Sequence, residues 1–175
     1  FRFNTYVGPL LYWPIVYGAA LSKLFGFSFT LLRLTTLAWT AVLIAITYLA
    51  AQQITKQKSL AALTALTLWL NPITYNLSFT FMTDVPALAL TALGVWSYWQ
   101  ALQTKQTKWL WLGSVAGVLG FYTRQTAGLI MPAMVAYLLW QHYHKRAPFT
   151  FGQWAIPLGY SGFVATALYA YLRYQ

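Results

Sequence analysis

The chain has no cysteine and only one acidic residue, Asp84, in 175 positions. Without thiols there can be no disulfide, thiol nucleophile or thiolate metal ligand. With one carboxylate in total, neither a two-carboxylate glycosidase-type site nor a carboxylate-rich metal site can be assembled from these residues. A Gly-rich phosphate loop after a strand and a Gly-x-Ser-x-Gly elbow are also missing, so nucleotide hydrolysis and serine-hydrolase chemistry have no motif to rest on. Internal repeats, low-complexity tracts and a soluble domain are likewise not visible.

What the chain has instead is hydrophobicity: 59% of its residues are hydrophobic and 7% are charged. Apolar runs cover residues 9–25, 34–51, 60–70, 85–102, 109–122, 127–141 and 154–172. Several approach the length of about 20 residues that crosses a hydrocarbon core, which predicts an all-α membrane protein, a polytopic helical bundle. The run 60–70 is short for a span unless it continues past Asn71-Pro72 toward Phe79. The net charge of +10 is dispersed at the ends of apolar runs. It forms no block along one face, so it argues against nucleic acid as a partner. The chain opens on Phe1-Arg2-Phe3 without a cleavable leader and reads as a piece of a longer protein.

The connections alternate in charge. Lys56 with Lys58, Lys105 with Lys108, and Lys145 with Arg146 mark cytoplasmic turns by the positive-inside rule, while the uncharged stretch 71–82 and the 122–126 turn with Arg124 fall on the other side. Threading backward with Arg33 at a helix start puts residues 1–28 outside as an interfacial segment, rich in Pro9, Pro14, Gly8, Gly18, Tyr12, Trp13 and Tyr17, and residues 29–175 in the bundle. The expectation is one partial transmembrane domain with about six spans and one external interfacial helix. An aromatic belt of Tyr98, Trp99, Trp109, Trp111, Trp140, Tyr143 and Trp154 inside, and Tyr75, Tyr122, Tyr169 and Tyr171 outside, agrees with that threading. Gly113, Gly117 and Gly120 recur at the small-residue spacing that lets helices approach closely.

Asp84, Arg124 and Arg33 share the outer boundary in this topology. A carboxylate costs about 2.5 to 3.5 kcal/mol at mid-membrane and less toward the surface, so an isolated one suggests function. Its bland explanation is a helix cap by Thr83 or Asp84, with Pro86 in the first turn, or an ion pair with a nearby arginine. Arg124 sits in Thr123-Arg124-Gln125-Thr126, where a guanidinium can grip a phosphate bidentately while Gln125 and Thr126 add hydrogen bonds; otherwise it would snorkel to lipid headgroups. His142 and His144 lack two further metal ligands nearby and read as an interfacial loop. Asn76-Leu77-Ser78 fits a glycosylation sequon, a pattern three residues often match by chance.

These residues in this order resemble the GT-C superfamily of polytopic glycosyltransferases, the class of protein O-mannosyltransferases and the aminoarabinose transferase of lipid A. The likeness runs through Gly8-Pro9-Leu10-Leu11-Tyr12-Trp13, then Leu24-Phe25-Gly26-Phe27-Ser28 with Leu32-Arg33-Leu34, then Thr83-Asp84, then Gly117 to Gly128 around Arg124-Gln125-Thr126. The resemblance implies transfer of a sugar from a polyprenyl-phosphate carrier to a glycan, lipid or protein acceptor on the non-cytoplasmic face of the plasma membrane or endoplasmic reticulum, among membrane lipid. It implies that Asp84 positions substrate or, in some members, a divalent metal. It also implies that Arg124, with Gln125, Arg33 and Tyr12, binds substrate. The family's usual catalytic base, an aspartate in the first external loop, has no counterpart among these residues, so the expectation is either that this piece begins downstream of it or that the chain is inactive. A second class of function is a transporter or structural membrane subunit with Asp84 as a cation or proton site, although no inverted repeat with broken helices accompanies it.

Overall fold

The computed structural model describes residues 12–144 and 149–174, with the side chains of 171–174 excepted. The Gly8-Pro9-Leu10-Leu11 block, the Lys145-Arg146 pair and the Tyr171 side chain lie outside the described residues. The described chain is helical throughout, with no strand: α1 Tyr12–Phe25, α2 Phe29–Thr55, α3 Lys58–Leu70, α4 Pro72–Ser78, α5 Asp84–Thr104, α6 Thr107–Thr123, a 3-10 turn Gln125–Leu129, α7 Ile130–Tyr143 and α8 Phe151–Tyr174.

Helix α2, 27 residues long with an 18-residue stretch of mean hydropathy 1.8, is long and apolar enough to cross a membrane. At 1.5 Å per residue it extends about 40 Å. Helix α3 wears its large residues outward: Leu63 and Leu70 are about 60% exposed, while Ala61 and Ala65 are buried against the neighbouring helix. That is the reverse of a water-soluble helix, and it is what close helix packing inside an apolar solvent favours.

Two short turns set the antiparallel pairs α2/α3 and α5/α6. In each, a lysine ends the first helix in the left-handed region (Lys56 φ 57°, Lys105 φ 54°) and an extended glutamine, Gln57 or Gln106, starts the next. Each lysine amide donates to a carbonyl four residues back, Lys56 to Gln52 at 2.9 Å and Lys105 to Ala101 at 2.8 Å, satisfying orphan helix-end acceptors. Between α1 and α2 the left-handed position falls to Gly26, φ 81°, where the lack of a Cβ removes the strain.

Two expected boundaries move and one holds. Helix α2 begins at Phe29, so Arg33 lies one turn inside it, not at its start. The 60–70 run does not continue toward Phe79. Pro72 cannot extend α3, and Asn71 restarts the chain as α4 by accepting from the amides of Ile73 (3.0 Å) and Thr74 (3.4 Å). The 127–141 run opens as a 3-10 turn before α7.

The glycine spacing on α6 does what its period suggests. A Cβ on Gly113 would stand 2.5 Å from the Tyr98 ring of α5, one on Gly117 2.7 Å from Met131 of α7, and one on Gly120 3.0 Å from the Cβ of Ala127. The apolar core of Tyr98, Leu110, Met134, Leu138, Phe149, Trp154 and Leu158 lies at the far end of α5 from Asp84. Tyr98 and Trp154 are therefore core residues, not interfacial ones. Tyr122 is also buried, and its hydroxyl donates to the Ala165 carbonyl of α8. Trp99, Trp140, Tyr143 and Tyr75 are exposed, as a belt requires.

Candidate active site

Helices α5 and α6 run antiparallel through the Lys105–Gln106 turn, so the first residue of α5 and the residue after α6 come to the same end of the pair. Those residues are Asp84 and Arg124, and Arg124 Nη1 makes an ion pair with Asp84 Oδ1. The Arg124 side chain is 50% exposed and that of Asp84 39%. At such exposure solvent screens the pair to about 0.2–1 kcal/mol, too little to explain the fold by itself.

Both backbones are held. Arg124 is extended; its amide donates to the Gly120 carbonyl at 2.7 Å and its carbonyl accepts from the Ala127 amide at 3.0 Å. Asp84 is the first residue of α5, where the Ala87 amide donates to the Thr83 carbonyl at 2.9 Å. Thr83 makes no side-chain cap bond, so of the two structural explanations of Asp84, a cap or an ion pair with an arginine, the ion pair is the one observed, and the helix N-terminus favours the negative charge as well.

The pair lines a cleft of about 510 Å3. One wall is α4, with Ile73, Thr74 and Leu77; the floor is α5, with Asp84, Leu88 and Thr91; the other wall is Arg124, Thr126 and Ala127. Leu88 and Thr91 also belong to a second, almost wholly apolar groove of about 500 Å3 between α2, α3 and α5 that reaches Val95 and Trp99. Positions 84, 88, 91, 95 and 99 are one face of α5. A charged head and an apolar channel therefore adjoin along some 15 residues, about 22 Å.

The remaining predicted residues are distributed differently. Gln125 is exposed and does not line the cleft; its neighbour Thr126 does, because the 3-10 turn rotates successive side chains by about 120°. Arg33 is exposed on α2 and outside the cleft lining. Tyr12 of α1 also stands outside it, within electrostatic range of Tyr122. Helix α1 approaches the site by another route: the Tyr17 ring packs edge-on to Phe81 at 6.2 Å, three residues before Asp84.

The α4 wall was not legible as a site element. It is fixed from behind by a buried polar relay in which Thr40 donates to Ser78 at 3.1 Å and Ser78 donates to the Thr74 carbonyl at 2.6 Å. The only sequence signal was hydroxyl residues in otherwise apolar runs. The same relay buries Ser78 of the Asn76-Leu77-Ser78 sequon within a helix, a poor shape for glycosylation. His142 and His144 pack edge-on against Phe151 and Trp140 respectively. Among the described residues no group of three His, Asp or Glu side chains could hold a metal ion.

An arginine beside an aspartate, in a cleft that opens onto an apolar channel, can bind an anionic head on a hydrocarbon chain and orient a hydroxyl beside it. Comparison with curated proteins and with solved structures gives no match. Residues 7–170 match the family model of dolichyl-phosphate-mannose-protein mannosyltransferases, and with nearly the whole chain covered the protein belongs to that family of GT-C-type membrane glycosyltransferases.

Proposed function

We propose that the protein moves a sugar from a polyprenyl-phosphate carrier to an acceptor hydroxyl at the non-cytoplasmic face of the membrane, with Arg124 holding the carrier phosphate and Asp84 orienting the sugar or acceptor. The reading puts residues 1–28 outside as an interfacial segment and the rest in a bundle of about six spans, in which α3 with α4, and the 3-10 turn with α7, each make one crossing. The observation that carries it is the juxtaposition of Asp84 and Arg124 at the mouth of one cleft. The apolar groove continuing along α5 supports it, because a polyprenyl tail needs an apolar path beside its head.

In the reaction the acceptor oxygen bonds to the anomeric carbon as the bond from that carbon to the phosphate oxygen breaks. The electron pair leaves with the phosphate, and the hydroxyl proton passes to a base. Negative charge grows on the departing phosphate, where a fixed guanidinium is worth most. Asp84, within reach of the same cleft, aligns the attacking group.

The test is turnover by the full-length protein in liposomes supplied with polyprenyl-phosphate sugars. Arg124→Ala is expected to cost about 100-fold or more, the usual effect of removing one donor to developing charge. Unchanged lipid-linked sugar turnover in that variant would remove the assignment.

A further inference from the structure

Building on the reading that Arg124 binds a phosphate, we infer that Asp84 is a built-in competitor for that site, so that the phosphate binds by exchange with the carboxylate and leaves by the reverse exchange. Asp84 thereby sets which anions the cleft accepts.

Asp84 is the chain's only acid, so no other side chain of this sequence can neutralise Arg124 in its place. The two groups meet across the cleft, not in the core, each well exposed, so their contact can open without uncovering a buried charge. Exchange also needs no backbone movement. Arg124 is held at its amide by Gly120 and at its carbonyl by Ala127, and Asp84 by the first turn of α5. Only side-chain torsions have to change. A guanidinium stays protonated throughout and can take two oxygens of a phosphate as readily as those of a carboxylate.

Charge then decides the competition. A sugar phosphodiester carries one negative charge, as Asp84 does, and competes on near-even terms. The carrier phosphate left after transfer is a monoester of up to two charges and would grip Arg124 more tightly, were it not beside a carboxylate that repels it. Asp84 therefore discriminates against the product more than against the donor. Exchange also couples two events: the phosphate that occupies Arg124 releases the Asp84 oxygens to accept a hydrogen bond from a hydroxyl in the same cleft.

The probe is farnesyl phosphate, a short prenyl monoester, titrated calorimetrically into the full-length protein in detergent. Asp84→Asn keeps the shape and removes the competing charge; it is expected to bind about tenfold more tightly than the native protein. Arg124→Gln is expected to abolish binding in both backgrounds. Equal or weaker binding by folded Asp84→Asn, while the native protein binds, overturns the exchange and leaves the phosphate assignment standing. No binding by either protein overturns both. A measurement on the native protein is independent of variant folding: the 13C resonance of the Asp84 carboxyl should shift as farnesyl phosphate saturates, and an unmoved resonance at saturation overturns the exchange. Phosphatidylglycerol, a phosphodiester of one charge titrated in parallel, should gain far less than farnesyl phosphate from Asp84→Asn; an equal gain overturns the discrimination against a monoester.

Discussion

A Cβ built on Gly120 would stand 3.0 Å from the Cβ of Ala127 and 3.6 Å from that of Leu90. The bare Cα of Gly120 lets the 3-10 turn lie on the α6 end that carries Arg124, so the packing of a glycine sets the height of a guanidinium. Gly120→Leu should push the turn outward, costing about 1–3 kcal/mol of stability from overpacking. It should lower turnover about 100-fold, because a displacement of about 1 Å is enough to misalign reacting groups. Thermal unfolding and transfer assays on the same preparations check both, and Gly120→Ala should be milder in each.

Thr126 and Gln125 are adjacent, yet only Thr126 lines the cleft. Thr126→Val preserves shape and deletes one hydroxyl, and should raise KM several-fold, in keeping with about 0.5–1.5 kcal/mol for a lost hydrogen bond. Gln125→Ala should change KM less than twofold. Steady-state kinetics with a lipid-linked sugar distinguish them, and the reverse order would mean that the turn is rotated in the working enzyme.

Asn71 starts α4 by accepting from the Ile73 and Thr74 amides, and Thr74 is part of the cleft wall. Asn71→Ala should cost about 0.5–2 kcal/mol as a lost cap. The fraying should appear as faster hydrogen exchange over residues 72–78 and a raised KM, with kcat little changed.

The buried Tyr122 hydroxyl donates across the bundle to the Ala165 carbonyl. Tyr122→Phe removes the donor without changing packing volume and should cost about 1 kcal/mol. Limited proteolysis should then report a looser α8. A variant as stable as the native protein would show that the contact contributes nothing net.

Much of the architecture is visible in one dimension. The apolar runs locate the helices to within a few residues, and the Gly113, Gly117 and Gly120 spacing marks a helix face that touches its neighbours. The misses have particular causes. Tyr98, Tyr122 and Trp154 lie near helix ends, where aromatic residues usually mean an interface, but their neighbours enclose them. Asn71-Pro72 breaks one apolar stretch into α3 and α4, and the cleft wall exists because of that break.

Composition and order along the chain already determine a helical, membrane-suited polypeptide with one carboxylate and a basic residue in a helix-ending turn. Those properties depend on local periodicity and on the cost of charge in hydrocarbon. Whether the carboxylate meets that arginine, whether Thr126 or Gln125 faces the opening, and whether α4 closes one side are decided only in three dimensions. They depend on the two-residue turn that makes α5 and α6 antiparallel and on the close approach at Gly120, and contacts between residues 40 positions apart have no counterpart in the local pattern.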